Sequence, residues 1–312
     1  MSQKRIALLF TGQGAQVVGM GRDLASSFSE AADLFARADS ALGYPLSRLA
    51  WEGPEMELTQ TCYCQPALYV HGLACLAALR SVAGDFPVAA AAGLSLGEFT
   101  AHTALGSFGF EAGLHLVAQR GMFMQDACEA TAGGMAAMIG GEEDAVRKLA
   151  EVAGVDVANF NSPGQIVLSG EKDKVTHAVA MAKEYGIRMA KPLNVAGAYH
   201  SRLMSSAAQK LGAVLADVAI QPPTNTLVCN VLATPVSTPD EIRQTLKDQV
   251  TGSVRWTQSM EYLLDVEKCD LFLELGPGGV LAGLMGRTRK GTPIVSISDA
   301  ASIETAVAAI RA

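Results

Sequence analysis

Cysteine, histidine and charge are all sparse in this chain: of 312 residues, six are cysteine, five are histidine and 18% are charged. The cysteines, at 62, 64, 75, 128, 229 and 269, are too few and too scattered for a disulfide framework. Cys62-Tyr63-Cys64 is the one close pair, and no second Cys/His pair stands near it in sequence, as structural zinc would require. Free thiols in a reducing, cytoplasmic compartment are therefore expected. A basic stripe is also missing, and a formal net charge of −7 argues against a general nucleic-acid binder. The apolar run Ile6–Phe10 behind Lys4 and Arg5 is too short for a signal-peptide core. No uncharged apolar stretch is read as reaching bilayer length, so no membrane span is expected. What remains is a chain that is 49% hydrophobic, enough for a sizeable core in one large α/β domain or in a large domain carrying a smaller one.

The chain alternates buried-strand runs with helical patterns. Residues 5–10 read as a strand that exits into Thr11-Gly12-Gln13-Gly14, and a helix is expected from Gly19 to Leu42. Pro66–Leu79 reads as a central apolar helix, 88–92 as a strand, and Glu111–Cys128 as a helix carrying Arg120. The rhythm changes over 132–195, where the order βαββαβ is the ferredoxin-like pattern, with Asn161-Ser162-Pro163-Gly164 supplying the hairpin turn. Helices from His200, Pro239 and Trp256, with strands at 226–230 and 271–275, resume the larger unit. The expected fold is an α/β-hydrolase-like large subdomain (1–130 and 198–312) with a mainly parallel sheet, and an inserted ferredoxin-like small subdomain (131–197).

Ser95, in Gly93-Leu94-Ser95-Leu96-Gly97 directly after the strand, has the strand–turn–helix context of a nucleophile elbow. Such a turn aims a hydroxyl off the strand end, beside helix N–H groups able to stabilise an oxyanion. A glycine-rich turn with an incidental serine is the competing reading of the pentapeptide alone. A serine nucleophile needs a base, and five histidines allow elimination. His71 and His115 sit in apolar helices as packing residues, and His177 lies on a charged helix. His102 is seven residues along the elbow helix, roughly 10 Å beyond Ser95 at the α-helical rise. His200 remains, at the junction between subdomains where clefts form, with a helix-capping or packing role as its alternative. No histidine follows it, which disfavours the ordinary lipase or esterase order with the base last. Arg120, on an otherwise apolar helix, must be paired if buried. A substrate carboxylate and a structural ion pair with Glu98 both satisfy that demand.

Taken in order, these segments resemble the malonyl-CoA:acyl carrier protein transacylases, with the polyketide-synthase acyltransferase domains as relatives. The resemblance covers about residues 5–290. It rests on Phe10-Thr11-Gly12-Gln13-Gly14, Gly93-Leu94-Ser95-Leu96-Gly97-Glu98, Gln119-Arg120-Gly121, Asn159–Gln165, Ala198-Tyr199-His200-Ser201 and Glu274-Leu275-Gly276-Pro277-Gly278. It implies Ser95 as the acylated nucleophile, His200 as its base, and the Gln249 main-chain carbonyl as the group orienting His200. It further implies the N–H groups of Gln13 and Leu96 as oxyanion hole and Arg120 as holder of a malonyl carboxylate. Met124 and Tyr199 line the substrate side, with Asn161 beside them, and the bulk of Tyr199 and Met124 favours malonyl over methylmalonyl. Malonyl-CoA and an acidic acyl carrier protein are the implied partners, the enzyme a monomer, with no metal or organic cofactor. Arg202, Arg255, Arg287, Arg289 and Lys290 are candidates to meet the carrier. Two positions depart from the pattern: Leu94 stands where histidine is usual, and Thr11 where proline is usual, which would loosen the Gln13 loop. A thioesterase using the same dyad, and a carrier-binding subunit without chemistry, are the competing functions.

Overall fold

The computed structural model describes residues 4–312, so the first three residues of the expected large subdomain lie outside the described residues. Two sheets organise the chain. The larger has five strands in the order β7-β2-β1-β8-β9, all parallel: β1 (Ile6–Phe10), β2 (Val88–Gly93), β7 (Thr226–Val228), β8 (Leu271–Leu275) and β9 (Ile294–Ile297). β1 and β8 are buried on both faces: β1 is apolar throughout, and β8 is apolar but for Glu274, whose carboxylate accepts from the N–H groups of Leu281 and Ala282. The smaller sheet is antiparallel, in the order β4-β5-β3-β6: β3 (Gly133–Ile139), β4 (Asp156–Ser162), β5 (Gln165–Glu171) and β6 (Met189–Pro192). Its strands all come from within 131–197, and two helices, α8 (Glu143–Ala153) and α9 (Lys172–Met181), pack on it around a separate apolar cluster.

Around the large sheet lie α1 (Arg22–Ser27), α2 (Ser29–Leu42), α3 (Leu46–Glu52), α4 (Glu55–Leu58), α5 (Thr61–Ala83), α6 (Leu96–Ala104) and α7 (Phe110–Glu129) on the N-terminal side of the insertion. Beyond it come α10 (Ser205–Asp217), α11 (Pro239–Asp248), α12 (Trp256–Asp265), α13 (Val280–Thr288) and α14 (Ala300–Arg311). The single helix expected over 19–42 is two, because Phe28 takes an extended conformation (φ −131°) between them. Helices α13 and α14 and strand β9 were not anticipated. α5 corrects another expectation, since it is long and apolar enough to cross a membrane by length and composition. In the fold 72% of its most apolar window is buried inside the protein, where Tyr69, Leu76 and Leu79 fill the core.

Bridging contacts join the two sheets beside the site. Val254, in the loop after α11, forms a parallel bridge with Asn159 of β4, through Phe160 N–H to Val254 O at 2.9 Å and Val254 N–H to Ala158 O at 2.8 Å. Arg202, two residues past His200, pairs with Asp156 of β4 at 2.6 Å.

The strand-to-helix turn after β2 is packed glycine on glycine. A Cβ at Gly93 would stand 1.9 Å from Gly97 C, and one at Gly97 would stand 2.2 Å from Phe10 O. Backbone cannot yield as a flexible side chain can, so Gly97→Ala should destabilise the fold by about 3 kcal/mol, the upper range for overpacking. A thermal unfolding scan checks this, and an unchanged Tm would contradict it.

Candidate active site

The C-terminal ends of β1, β2, β7 and β8 meet at one edge of the large sheet, where open α/β sheets place their ligands. The exit of β2 carries Ser95, which has φ 54° and ψ −105°. A non-glycine residue there stores strain on the order of 1–3 kcal/mol, maintained by its surroundings. Asn230, after β7, supplies the restraint: its Oδ1 accepts from Ser95 N–H at 2.7 Å, and its Nδ2 donates to Gly93 O at 2.8 Å.

Ser95 Oγ lies 2.8 Å from His200 Nε2, and His200 Nδ1 lies 2.8 Å from the Gln249 main-chain oxygen. That carbonyl stands at the C-terminal end of α11, where helix carbonyls lack intrahelical donors and the dipole is negative. A neutral acceptor there fixes the Nδ1–H tautomer and leaves Nε2 free to take the serine proton. His200 also has positive φ, 56°. Burial, with the Arg120 charge beside it, pushes its imidazole down to about 4, so it is neutral at physiological pH.

Arg120, on α7, is 1% exposed. Its Nη1 donates to Gln65 Oε1 at 2.7 Å, and its Nη2 donates to Ser95 Oγ at 3.0 Å and to Gln249 Oε1 at 2.9 Å. All three acceptors are neutral, so the direct ion pair with Glu98 that was one reading of Arg120 is not made. Glu98 is instead reached through Gln249, whose Nε2 donates to Glu98 Oε2 at 2.6 Å. Burial lowers Arg120 to about 10 and raises Glu98 to about 7.

The Gln13 and Leu96 N–H groups have no protein acceptor among the described residues. The Gln13 side chain is tied to Thr61 Oγ1 and Tyr199 OH, each at 3.3 Å, and these two hydroxyls lie 2.6 Å apart. Tyr199 thus braces the Gln13 loop. Met124, one turn along α7 from Arg120, is buried, with its sulfur 3.5 Å from Gln65 Nε2. Asn161 is half-buried at the end of β4, and no hydrogen bond joins it to Ser95, His200 or Arg120 among the described residues.

The departures from the pattern have physical accounts. Leu94 packs against the apolar cluster of Val254, Trp256 and Leu281. Thr11 is buried, and its Oγ1 occupies the place where a Cβ on Gly276 would stand, so its side chain packs against that turn. His71 and His102 are buried, whereas His115 is exposed and not a packing residue. Among the carrier candidates, Arg202 and Arg289 are engaged with Asp156 and Asp265, leaving exposed Arg287 and Lys290 without an acidic partner among the described residues. Asn230, Gln65, Thr61 and the Gln249 side chain were missed. The available signal for Asn230 was its place at a strand's C-terminal end.

A strained serine, a neutral imidazole and two unengaged N–H groups compose a serine acyl-transfer site. The chain matches the acyl transferase domain family over residues 7–306, and belongs to it. The malonyl CoA-acyl carrier protein transacylase of Bacillus subtilis (strain 168) is 37% identical, over 98% of each chain. The solved acyl-carrier-protein-S-malonyltransferase of Bartonella henselae superposes with a TM-score of 0.94 at 36% identity, covering 99% of this chain and 100% of that one. A malonyl-transacylase solved in complex with its type II PKS acyl-carrier protein gives a TM-score of 0.94 at 35% identity, covering 98% of this chain and 99% of that one.

A base already neutral at pH 7 gives a definite pH profile. Because the His200 value is lowered, protonation removes the base only well below the ordinary histidine range. The rate of Ser95 acylation should hold level from about pH 8 to pH 6, with no inflection near the ordinary histidine value of about 6.5. Stopped-flow measurement of thiol release across that range checks it, and half-loss near 6.5 would contradict it.

Proposed function

We propose that this chain is a malonyltransferase: it moves the malonyl group of malonyl-CoA to the phosphopantetheine thiol of an acyl carrier protein through a Ser95 ester. The observation that carries the reading is Arg120, a buried guanidinium 3.0 Å from the nucleophile with only neutral groups on it. A buried cation in that state is matched by an anionic acyl group, and a carboxylate fits the guanidinium fork in two parallel hydrogen bonds.

In the first half-reaction Ser95 Oγ attacks the thioester carbonyl as His200 Nε2 takes its proton. The Gln13 and Leu96 N–H groups receive the oxyanion, and His200 returns the proton to the departing CoA sulfur. In the second half-reaction His200 takes the proton of the carrier's thiol, whose sulfur attacks the ester. Ser95 then recovers the proton as the new thioester forms. No electrons are gained or lost, and the named groups cover each proton and charge, so the proposal includes no metal or organic cofactor. Action as a monomer is the state that the family resemblance implies. Tyr199 and Met124 crowd the site against an α-methyl branch, while Asn161 is assigned to the substrate side only by family resemblance. The six free cysteines support a reducing, cytoplasmic setting.

Exposed Arg287 and Lys290 support docking of an acidic carrier near the small sheet, where Arg287 bonds Gln165. Supply to fatty-acid synthesis is the reading adopted. The similar transacylase solved with a type II PKS carrier favours a polyketide carrier as the alternative, and kcat/KM for the two carriers distinguishes them.

Arg120→Ala should lower kcat/KM for malonyl-CoA by about 100- to 1,000-fold, in line with losing a buried charge partner, and affect acetyl-CoA far less. Equal losses for both substrates would remove the carboxylate-holding role.

A further inference from the structure

The Gln249 side chain stands between two buried groups of opposite charge. Its carboxamide NH₂ points at Glu98 Oε2 (2.6 Å) and at Ser95 O (2.9 Å), and its oxygen receives Arg120 Nη2 (2.9 Å). While Glu98 is ionised the amide cannot turn over without opposing its neighbours, because a guanidinium only donates and a carboxylate only accepts. The same Glu98 oxygen, Oε2, also accepts from Asn230 N–H at 3.1 Å. Both groups are fully buried, and each retains an unused atom: Glu98 Oε1 and Arg120 Nε have no hydrogen-bond partner among the described residues. A direct ion pair is the obvious way for two such groups to satisfy each other, and it is the arrangement the amide interrupts.

We propose that the Gln249 carboxamide is a spacer that keeps Glu98 from closing an ion pair on Arg120, and thereby determines selectivity for carboxylated acyl groups. The main-chain carbonyl of the same residue orients His200, so Gln249 serves the base with its backbone and the acyl pocket with its side chain. Glu98 makes no hydrogen bond to Ser95 Oγ among the described residues; its partners are the amide and Asn230 N–H. Without the amide, Glu98 is free to turn its unused oxygen to the guanidinium and occupy the place of the substrate carboxylate.

The inference rests on Arg120 as that carboxylate's partner, and the test separates the two. Gln249→Ala, Glu98→Gln and the double variant are compared by kcat/KM for malonyl-CoA and for acetyl-CoA. Gln249→Ala should lower the malonyl-to-acetyl ratio by at least about tenfold, the effect of an internal competitor for a buried charge. Adding Glu98→Gln, which removes that competitor's charge, should restore most of the ratio. An unmoved ratio, or a further fall in the double variant, would overturn the spacer. Should Gln249→Ala fail to fold, Glu98→Gln alone decides. It retains an oxygen for Gln249 and Asn230, and should lower KM for malonyl-CoA about threefold as Arg120 loses its nearest anion. A KM that holds or rises would overturn the proposal. If Arg120→Ala leaves selectivity intact, the carboxylate reading itself fails, whatever Gln249 does.

Discussion

A single oxygen, Ser95 Oγ, is shared between a neutral imidazole at 2.8 Å and a buried guanidinium at 3.0 Å, and the surrounding architecture exists to hold that meeting. None of the three side chains is there by local preference alone. Ser95 and His200 both occupy positive-φ conformations that a non-glycine residue rarely adopts. Arg120 lies in a core that would exclude it without acceptors. Each is secured from a different part of the chain: Asn230 fixes the elbow backbone, the end of α11 aims the imidazole, and Gln65 with Gln249 holds the guanidinium.

That arrangement also accounts for the position of the small sheet. The loop that follows Gln249 continues directly into Val254, which bridges β4, while Arg202 just past His200 pairs with Asp156 on the same strand. The base and the group that orients it are thus both attached to the insertion within a few residues. Val254 also leads directly into Arg255, whose N–H donates to the main-chain oxygen of Asn230 at 2.9 Å, so the same bridge reaches the residue that fixes the elbow. Coupling of this kind suits a site that must receive a bulky thioester and then a protein-borne thiol.

Much of this was legible in the sequence where a local pattern has a single physical solution. Gly93 and Gly97 flank Ser95 because backbone meets backbone there, and such a turn reads directly from its residues. The βαββαβ order of the insertion and the parallel strands of the larger sheet follow from apolar runs and turn chemistry. A lone arginine in an apolar helix announced a buried charge, but not that neutral amides rather than Glu98 would hold it. The roles of Asn230, Gln65 and the Gln249 side chain were hidden because bonded members of the ring, such as Glu98 and Gln249, lie 151 positions apart, and an amide at a strand or helix end looks like loop composition. His115 was misjudged for a related reason: apolar residues surround it in sequence, yet it faces outward from α7. Phe28, which divides the first long helical pattern, carries no breaker residue that would reveal the extended conformation.

The central claim is that Ser95 carries the malonyl group between two thiols. Intact-protein and peptide mass spectrometry after brief mixing with malonyl-CoA tests it most directly, followed by a chase with the thiol-bearing carrier protein. One malonyl group is expected on the peptide containing Ser95, stable in buffer over the time of the chase and discharged when the carrier is added. Absence of the adduct, its appearance on another residue, or loss to water as fast as to the carrier would contradict the account.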